Sequence, residues 1–113
     1  MTREELREFD CLMNSLGISY RKLGRTYITD MIARAEKENI YGGFRVTKDG
    51  YPVTAKKYRT TCSRVERACR YAIETGFEKN PTAWNLELNL FWCPTVSEFI
   101  NALLSHYWVD IAG

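Results

Sequence analysis

Apolar residues recur three and four positions apart along most of the 113-residue sequence, the spacing that places them on one face of an α-helix. The first segment has a capping-box start, Thr2 followed three residues later by Glu5, and Gly17 is a natural helix stop. A second predicted helix runs from about Tyr20 to Lys37. Its apolar stripe comprises Leu23, Tyr27, Ile28, Met31, Ile32 and Ala35. The periodicity therefore predicts an all-α fold.

The middle of the chain alternates turns with short helical patterns. The turn-rich run NIYGGFRVTKDGYP is followed by a predicted helix over about Pro52 to Tyr58, with the proline suited to a first turn. Thr60 and Thr61 can cap a further helix, about Cys62 to Thr75, which we expect to end before Gly76.

The last third contains the least readable segment. The alternation in LELNLFW fits a short strand, but Asn80, Pro81 and Thr82 also fit a helix start, and we favour the helix. Thr95 and Glu98 form a capping box that opens a final helix, whose stripe comprises Val96, Phe99, Ile100, Leu103, Leu104, Tyr107 and Trp108. The chain is thus predicted to form one domain of about six helices over residues 1–113.

Composition excludes several classes of protein. No apolar run approaches the roughly 20 residues of a membrane span, and the acidic helical N-terminus is unlike a signal peptide, so we expect a cytoplasmic protein. Four scattered cysteines and one histidine, His106, lack the paired spacing of a zinc site. We expect no metal and no cofactor, with reduced cysteines serving as small core residues.

Positive charge is concentrated in one stretch of the chain. Residues 48–70 carry seven basic and two acidic side chains, whereas residues 71–113 carry one basic and five acidic side chains. A generic solvated surface mixes its signs, so this block indicates a polyanionic partner.

The segment 51–76 has the spacing of a helix-turn-helix. Ala55 is predicted at the close crossing of its two helices, and Tyr58, Val65 and Ala68 are predicted to make the buried contacts between them. Arg59 stands where many such motifs have glycine, so an ordinary residue has to form the turn.

One face of the second helix is apolar and the other is basic. The buried stripe is predicted to be Val65, Ala68, Cys69, Ala72 and Ile73. Arg64, Arg67 and Tyr71 then align on an exposed ridge beside a Glu66–Arg70 pair four residues apart. Such a rod fits the major groove of DNA. The alternatives are an ordinary solvated face and a Ser63–Glu66 capping box that would give Glu66 a local role.

The run VTKDGYPVTAKKYRTTCSRVERACRYAIE resembles the C-terminal effector domain of the sporulation response regulator, the stage-zero sporulation protein A family. That family carries a similar T-T-x-S-R-V-E-R-A string followed by R-x-A-I-E. The similarity extends outward through LGI at 16–18, through Gly24, Tyr27 and Ile28, and through PTVSEFI at 94–100. It therefore covers about Leu16 to Leu104.

The resemblance implies a bacterial, six-helix transcription regulator that binds double-stranded DNA upstream of sporulation-phase genes. Its helix at about 62–75 would enter the major groove, with Arg64, Glu66 and Arg67 reading bases: arginine can bind guanine and glutamate can accept from cytosine. The expected contacts to the DNA backbone or groove edge are Lys48, Lys56, Lys57, Thr60, Thr61, Ser63, Arg70 and Tyr71. The sigma subunit of RNA polymerase and a second copy on tandem sites are the further partners it suggests.

Three departures from the family qualify that expectation. The family's N-terminal receiver domain is not in this sequence, so we expect no control by phosphorylation within it. Tyr71 replaces a histidine, and the segment between Gly76 and Pro94 is shorter than the family's and lacks its lysines, which affects the expected backbone and polymerase contacts.

Two other functions compete with DNA reading. A receiver-less interaction module could dimerise with or titrate a full-length regulator through Phe91, Trp92 and Trp108, although we expect these aromatics to belong to the core. An enzyme has little support, because no nucleophile, base or carboxylate pair can be assembled around His106. The retained basic face favours DNA binding over both.

Overall fold

The computed structural model describes residues 1–38 and 44–112, with side chains up to His106. The elements in chain order are α1 (Arg3–Ser15), α2 (Leu23–Lys37), a π-helical turn (Val46–Gly50), α3 (Tyr51–Lys57), α4 (Cys62–Lys79), α5 (Pro81–Leu88) and α6 (Val96–Ala112). The described residues form no strand, so the predicted all-α fold of six helices is confirmed. Within these ranges no helix is long and apolar enough to cross a membrane.

Both capping boxes mark real helix starts. The Thr2 hydroxyl accepts from the Glu5 N–H at 3.1 Å and opens α1. At α6 the bonds are reciprocal: the Thr95 hydroxyl accepts from the Glu98 N–H at 3.1 Å, and the Glu98 carboxylate accepts from the Thr95 N–H at 2.9 Å. Hydrogen bonds from the Thr95 backbone and side chain to the Glu98 carboxylate favour its ionised form and lower the pKa of Glu98 below its usual value.

The second helix begins later than the sequence predicts. A turn precedes it, in which the Ser19 hydroxyl and carbonyl accept from the N–H groups of Arg21 and Lys22. As a result α2 begins at Leu23 rather than Tyr20, and Leu23, predicted on the buried stripe, is 64% exposed. The rest of that stripe is buried.

Helices α2 and α4 cross at a glycine. A Cβ atom at Gly24 of α2 would lie 2.2 Å from the Ala68 carbonyl oxygen of α4, so only glycine permits this approach. Helix α4 therefore packs directly on α2. Ile28, Met31 and Ile73 of these two helices are fully buried.

The predicted end of the fourth helix is wrong. Gly76 does not stop α4, which continues to Lys79. Gly76 is instead a buried contact: a Cβ atom there would lie 2.8 Å from the Leu16 carbonyl oxygen. Its absent side chain lets the α1–α2 loop pass close to α4.

The ambiguous segment is helical, as favoured, and the strand alternative is wrong. Helix α5 ends at Leu88, and Asn89 adopts the left-handed conformation, with φ of 56°. Trp84 is fully buried, donates to the Leu16 carbonyl at 2.9 Å, and packs against Phe99 with ring centroids 4.9 Å apart. The side chains of Tyr107 and Trp108 lie outside the described residues, as do residues 39–43 of the predicted turn-rich connection.

Three of the four cysteines are not core residues. Only Cys69 is buried, whereas Cys11, Cys62 and Cys93 are exposed, so the expectation that they fill the core holds for one of them. All four are free thiols. Burial raises the pKa of the Cys69 thiol to about 12, which keeps it protonated at neutral pH.

Candidate nucleic-acid interface

Helices α3 and α4 form the helix-turn-helix, and an arginine forms its turn. Arg59 has φ of 53°, in the left-handed region, as expected of a turn that lacks glycine. Its N–H donates to the Lys56 carbonyl at 3.3 Å, and the Thr60 N–H donates to the Ala55 carbonyl at 2.9 Å. This pair of bonds is the Schellman motif that closes a helix C-terminus.

The start of α4 is capped by Thr61. Its hydroxyl accepts from the Arg64 N–H at 3.2 Å. The alternative Ser63–Glu66 capping box is therefore wrong, because neither side chain caps α4. Ser63 is exposed in the first turn of α4, and Glu66 is half-buried one turn further on.

The inner face of the motif packs largely as predicted. Val65, Cys69, Ala72 and Ile73 are buried, and so is Ala55 in α3. Two predicted contacts are looser. Ala68 is half-buried, and Tyr58 is 37% exposed, with its ring set edge-on against Tyr27 at 5.2 Å between centroids.

The outer face of α4 carries the three candidate base-reading residues. Arg64 and Arg67 are exposed, and neither has an ion-pair partner among the described residues. Glu66 lies 3.7 Å from the Arg70 guanidinium, so the predicted pair is present, and Arg70 also approaches Glu74 at 3.9 Å. The side chains of Tyr51, Cys62, Ser63, Glu66, Arg67 and Arg70 line a shallow depression on this face.

The flanking candidates fall into two groups. Lys48 and Lys56 are exposed and form no ion pair within the described ranges, whereas Lys57 forms a close ion pair with Asp30 of α2. The hydrogen bond and charge of Asp30 raise the pKa of Lys57. Thr61 is occupied as the helix cap and Thr60 is half-buried.

Tyr71 completes the ridge of α4. It is 54% exposed, and the Lys22 ammonium lies 4.4 Å from the centroid of its ring. The sequence reasoning missed Lys22, because residues so far apart in the chain meet only through the packing of α2 on α4.

Arg34 of α2, which the sequence did not single out, links the helix-turn-helix to α2. The Arg34 guanidinium of α2 donates to the carbonyls of Asp49 and Gly50 at 3.1 and 3.0 Å and to the Thr54 hydroxyl at 3.2 Å. It also donates to the Asp30 carboxylate at 2.8 Å. One side chain thereby joins α2 to the π-helical turn and to α3. The only sequence signal was the four-residue spacing of Asp30 and Arg34.

A buried small residue in the first helix, a capped second helix and a basic outer ridge place the chain in the class of helix-turn-helix domains. The chain belongs to the family described as Sporulation initiation factor Spo0A C terminal, whose model matches residues 10–106. The resemblance found in the sequence is thereby confirmed. The family is one of DNA-binding regulator domains rather than of enzymes, so at family level the chain is a DNA-binding regulator.

Proposed function

We propose that the chain is a sequence-specific transcription regulator that reads double-stranded DNA with α4 in the major groove. One observation carries the proposal: Arg64 and Arg67 project from the first half of α4, exposed and without an ion pair in the described part of the chain. An unpaired guanidinium can bind guanine O6 and N7 bidentately without first losing an internal partner.

Glu66 would recognise a different base from the two arginines. Its carboxylate can accept from the cytosine amino group, and its half-buried position beside Arg70 limits the rotamers it can adopt. Arg64, Glu66 and Arg67 together would therefore read a short box that contains both guanine and cytosine.

The backbone contacts come from around this helix. The exposed side chains of Lys48, Lys56 and Ser63, together with N–H groups at the start of α4, would hold phosphates and set the register. Lys57 and Arg70 would contribute less, because each would have to leave a carboxylate partner to bind a phosphate. Tyr71, Thr60 and Thr61 would lie at the groove edge.

The experiment compares arginine and lysine variants on a sporulation-type box and on scrambled DNA. Arg64→Ala or Arg67→Ala should cost roughly 1–3 kcal/mol on the box and much less on scrambled DNA, because a base contact is lost. Lys56→Ala should weaken both DNAs similarly and make the slope of log K against log salt less negative by about 1, because a phosphate contact is lost. A gel-shift titration at two salt concentrations measures both effects.

A different result would favour a second candidate function. Exposed apolar side chains lie around the end of α5, with Leu86 80%, Phe91 65% and Trp92 57% exposed, so the expectation that Phe91 and Trp92 are core residues is wrong. This surface favours a protein contact with a full-length regulator, a second copy or the sigma subunit of RNA polymerase. If Arg64→Ala and Arg67→Ala left the preference for the box unchanged, the interaction module would become the better proposal.

A further inference from the structure

Two cations at the start of α2 lie beside the exposed ridge of α4. The Lys22 ammonium is 4.4 Å from the centroid of the Tyr71 ring, and Tyr71 follows Arg64 and Arg67 along the ridge. Arg21 is exposed next to Lys22, with its guanidinium 5.9 Å from the ring centroid of Tyr20. The fold therefore adds positive charge to the DNA-facing side from outside the helix-turn-helix.

The contact with Tyr71 leaves the charge of Lys22 available. An ammonium over an aromatic face keeps its full charge and N–H donors, because the ring has no negative charge to neutralise it. Lys57 differs, since its ammonium faces the Asp30 carboxylate. In the described ranges neither Arg21 nor Lys22 forms an ion pair, and the first turn of α2 has no acidic side chain.

The spacing along α4 matches the width of the groove. Tyr71 lies seven residues after Arg64, which corresponds to about 10 Å along the helix axis. The major groove of B-DNA is about 12 Å wide. A helix whose first turns touch base edges therefore brings its middle turns, around Tyr71, to the phosphates at the groove wall, where Lys22 is held.

We propose that Lys22, assisted by Arg21, binds a DNA phosphate from outside the helix-turn-helix, and that Tyr71 positions Lys22 for this contact. The inference rests on the proposed function, because it assumes that α4 enters the groove. It assigns to the start of α2 a backbone contact beside the middle of α4, whereas Lys56 lies in α3, before the start of α4.

The test measures affinity and salt dependence on the box and on scrambled DNA. Lys22→Ala should lower affinity about 5- to 10-fold at 0.1 M salt on both DNAs and make the slope of log K against log salt less negative by about 0.9. The ratio of the two affinities should stay unchanged, because a phosphate carries no base identity. Lys22→Arg should restore the slope.

The role of Tyr71 is tested by combining variants. Tyr71→Phe keeps the aromatic face, so it should keep the contribution of Lys22 to the slope of log K against log salt. Tyr71→Leu removes that face and should reproduce part of the Lys22→Ala loss. The double variant should lose no more than Lys22→Ala alone, because both changes remove one contact. Additive losses would overturn the positioning role.

The matched control is Arg7→Ala, which removes an exposed charge on α1 that has no ion pair in the described part of the chain. This variant should show the same slope of log K against log salt as the unaltered protein. If Lys22→Ala matched the unaltered protein while Arg67→Ala lost the preference for the box, this inference would fail and the proposed function would stand. Absence of any DNA binding by the unaltered protein would overturn both.

Discussion

Arg59 combines an ordinary side chain with a backbone conformation that favours glycine. Its φ of 53° brings the Cβ atom close to the neighbouring carbonyl oxygen, which costs roughly 1–2 kcal/mol in an L-residue. The residue stays there because its N–H and that of Thr60 satisfy the last carbonyls of α3. The side chain is exposed, and within the described ranges it forms no ion pair that would offset the strain.

We expect Arg59→Gly to stabilise the domain by about 0.5–1 kcal/mol, because relief of the strain outweighs the added freedom of glycine in the unfolded chain. Thermal unfolding should show a rise in Tm of roughly 3–5 °C. Arg59→Ala is the matched control, since it removes the same side chain but retains the Cβ atom and should give no such rise. Equal melting temperatures for the glycine and alanine variants would show that the backbone at this position is not strained.

At the scale of elements, α4 packs against α2 and α3 and is also the helix that we propose to bind DNA. Its inner face contacts α2 at Gly24 and also packs against α3, in which Ala55 is buried. Its far end contacts the α1–α2 loop at Gly76. A buried arginine braces the same loop: Arg25 donates to the Ile18 carbonyl at 2.7 Å and forms an ion pair with Asp10 at 3.1 Å. The orientation of the ridge thus depends on packing at both ends of one helix.

We expect Val65→Asp to unfold the domain, because Val65 is fully enclosed between the helices of the motif. An unpaired carboxylate there should cost more than about 4 kcal/mol, a large part of the stability of a small domain. Val65→Ala is the control and should remain folded with a loss of about 2 kcal/mol. A cooperative melting transition near that of the unaltered protein in the aspartate variant would contradict the packing of α4.

At the scale of the whole molecule, the charge is divided along the chain and along α4. The basic block of residues 48–70 includes α3 and the first half of α4, whereas Glu78 and Glu87 lie at and beyond the other end of that helix. The molecule extends about 34 Å in its longest direction. The Debye length at 0.1 M salt is about 10 Å, so distant carboxylates weaken the field at the basic end only slightly.

We therefore expect DNA binding by the whole domain to depend strongly on salt. If about 4–6 phosphates are neutralised per monomer, the slope of log K against log salt should be roughly −4 to −5. Fluorescence anisotropy of labelled DNA across a salt series measures it. An affinity that stayed constant from low to moderate salt would contradict an electrostatic DNA interface.

The sequence by itself determined the helical class, most helix starts and the helix-turn-helix, because these depend on local signals. Thr2, Thr61 and Thr95 cap helices through bonds to groups three residues away, and the spacing of Val65, Cys69 and Ala72 sets the buried face of α4. The long string shared with the sporulation regulators also identified the family, which needs no coordinates.

Only the tertiary structure decided which residues meet across the chain. Gly76 signals a helix end locally, yet the neighbouring loop needs its missing side chain, so α4 continues. Leu23, Phe91 and Trp92 are apolar but exposed, because no other described element covers them. The pairing of Lys57 with Asp30 and of Lys22 with Tyr71 likewise depends on how α2 lies against α3 and α4. Periodicity and capping report the neighbours of a residue along the chain, whereas these contacts join residues that only packing brings together.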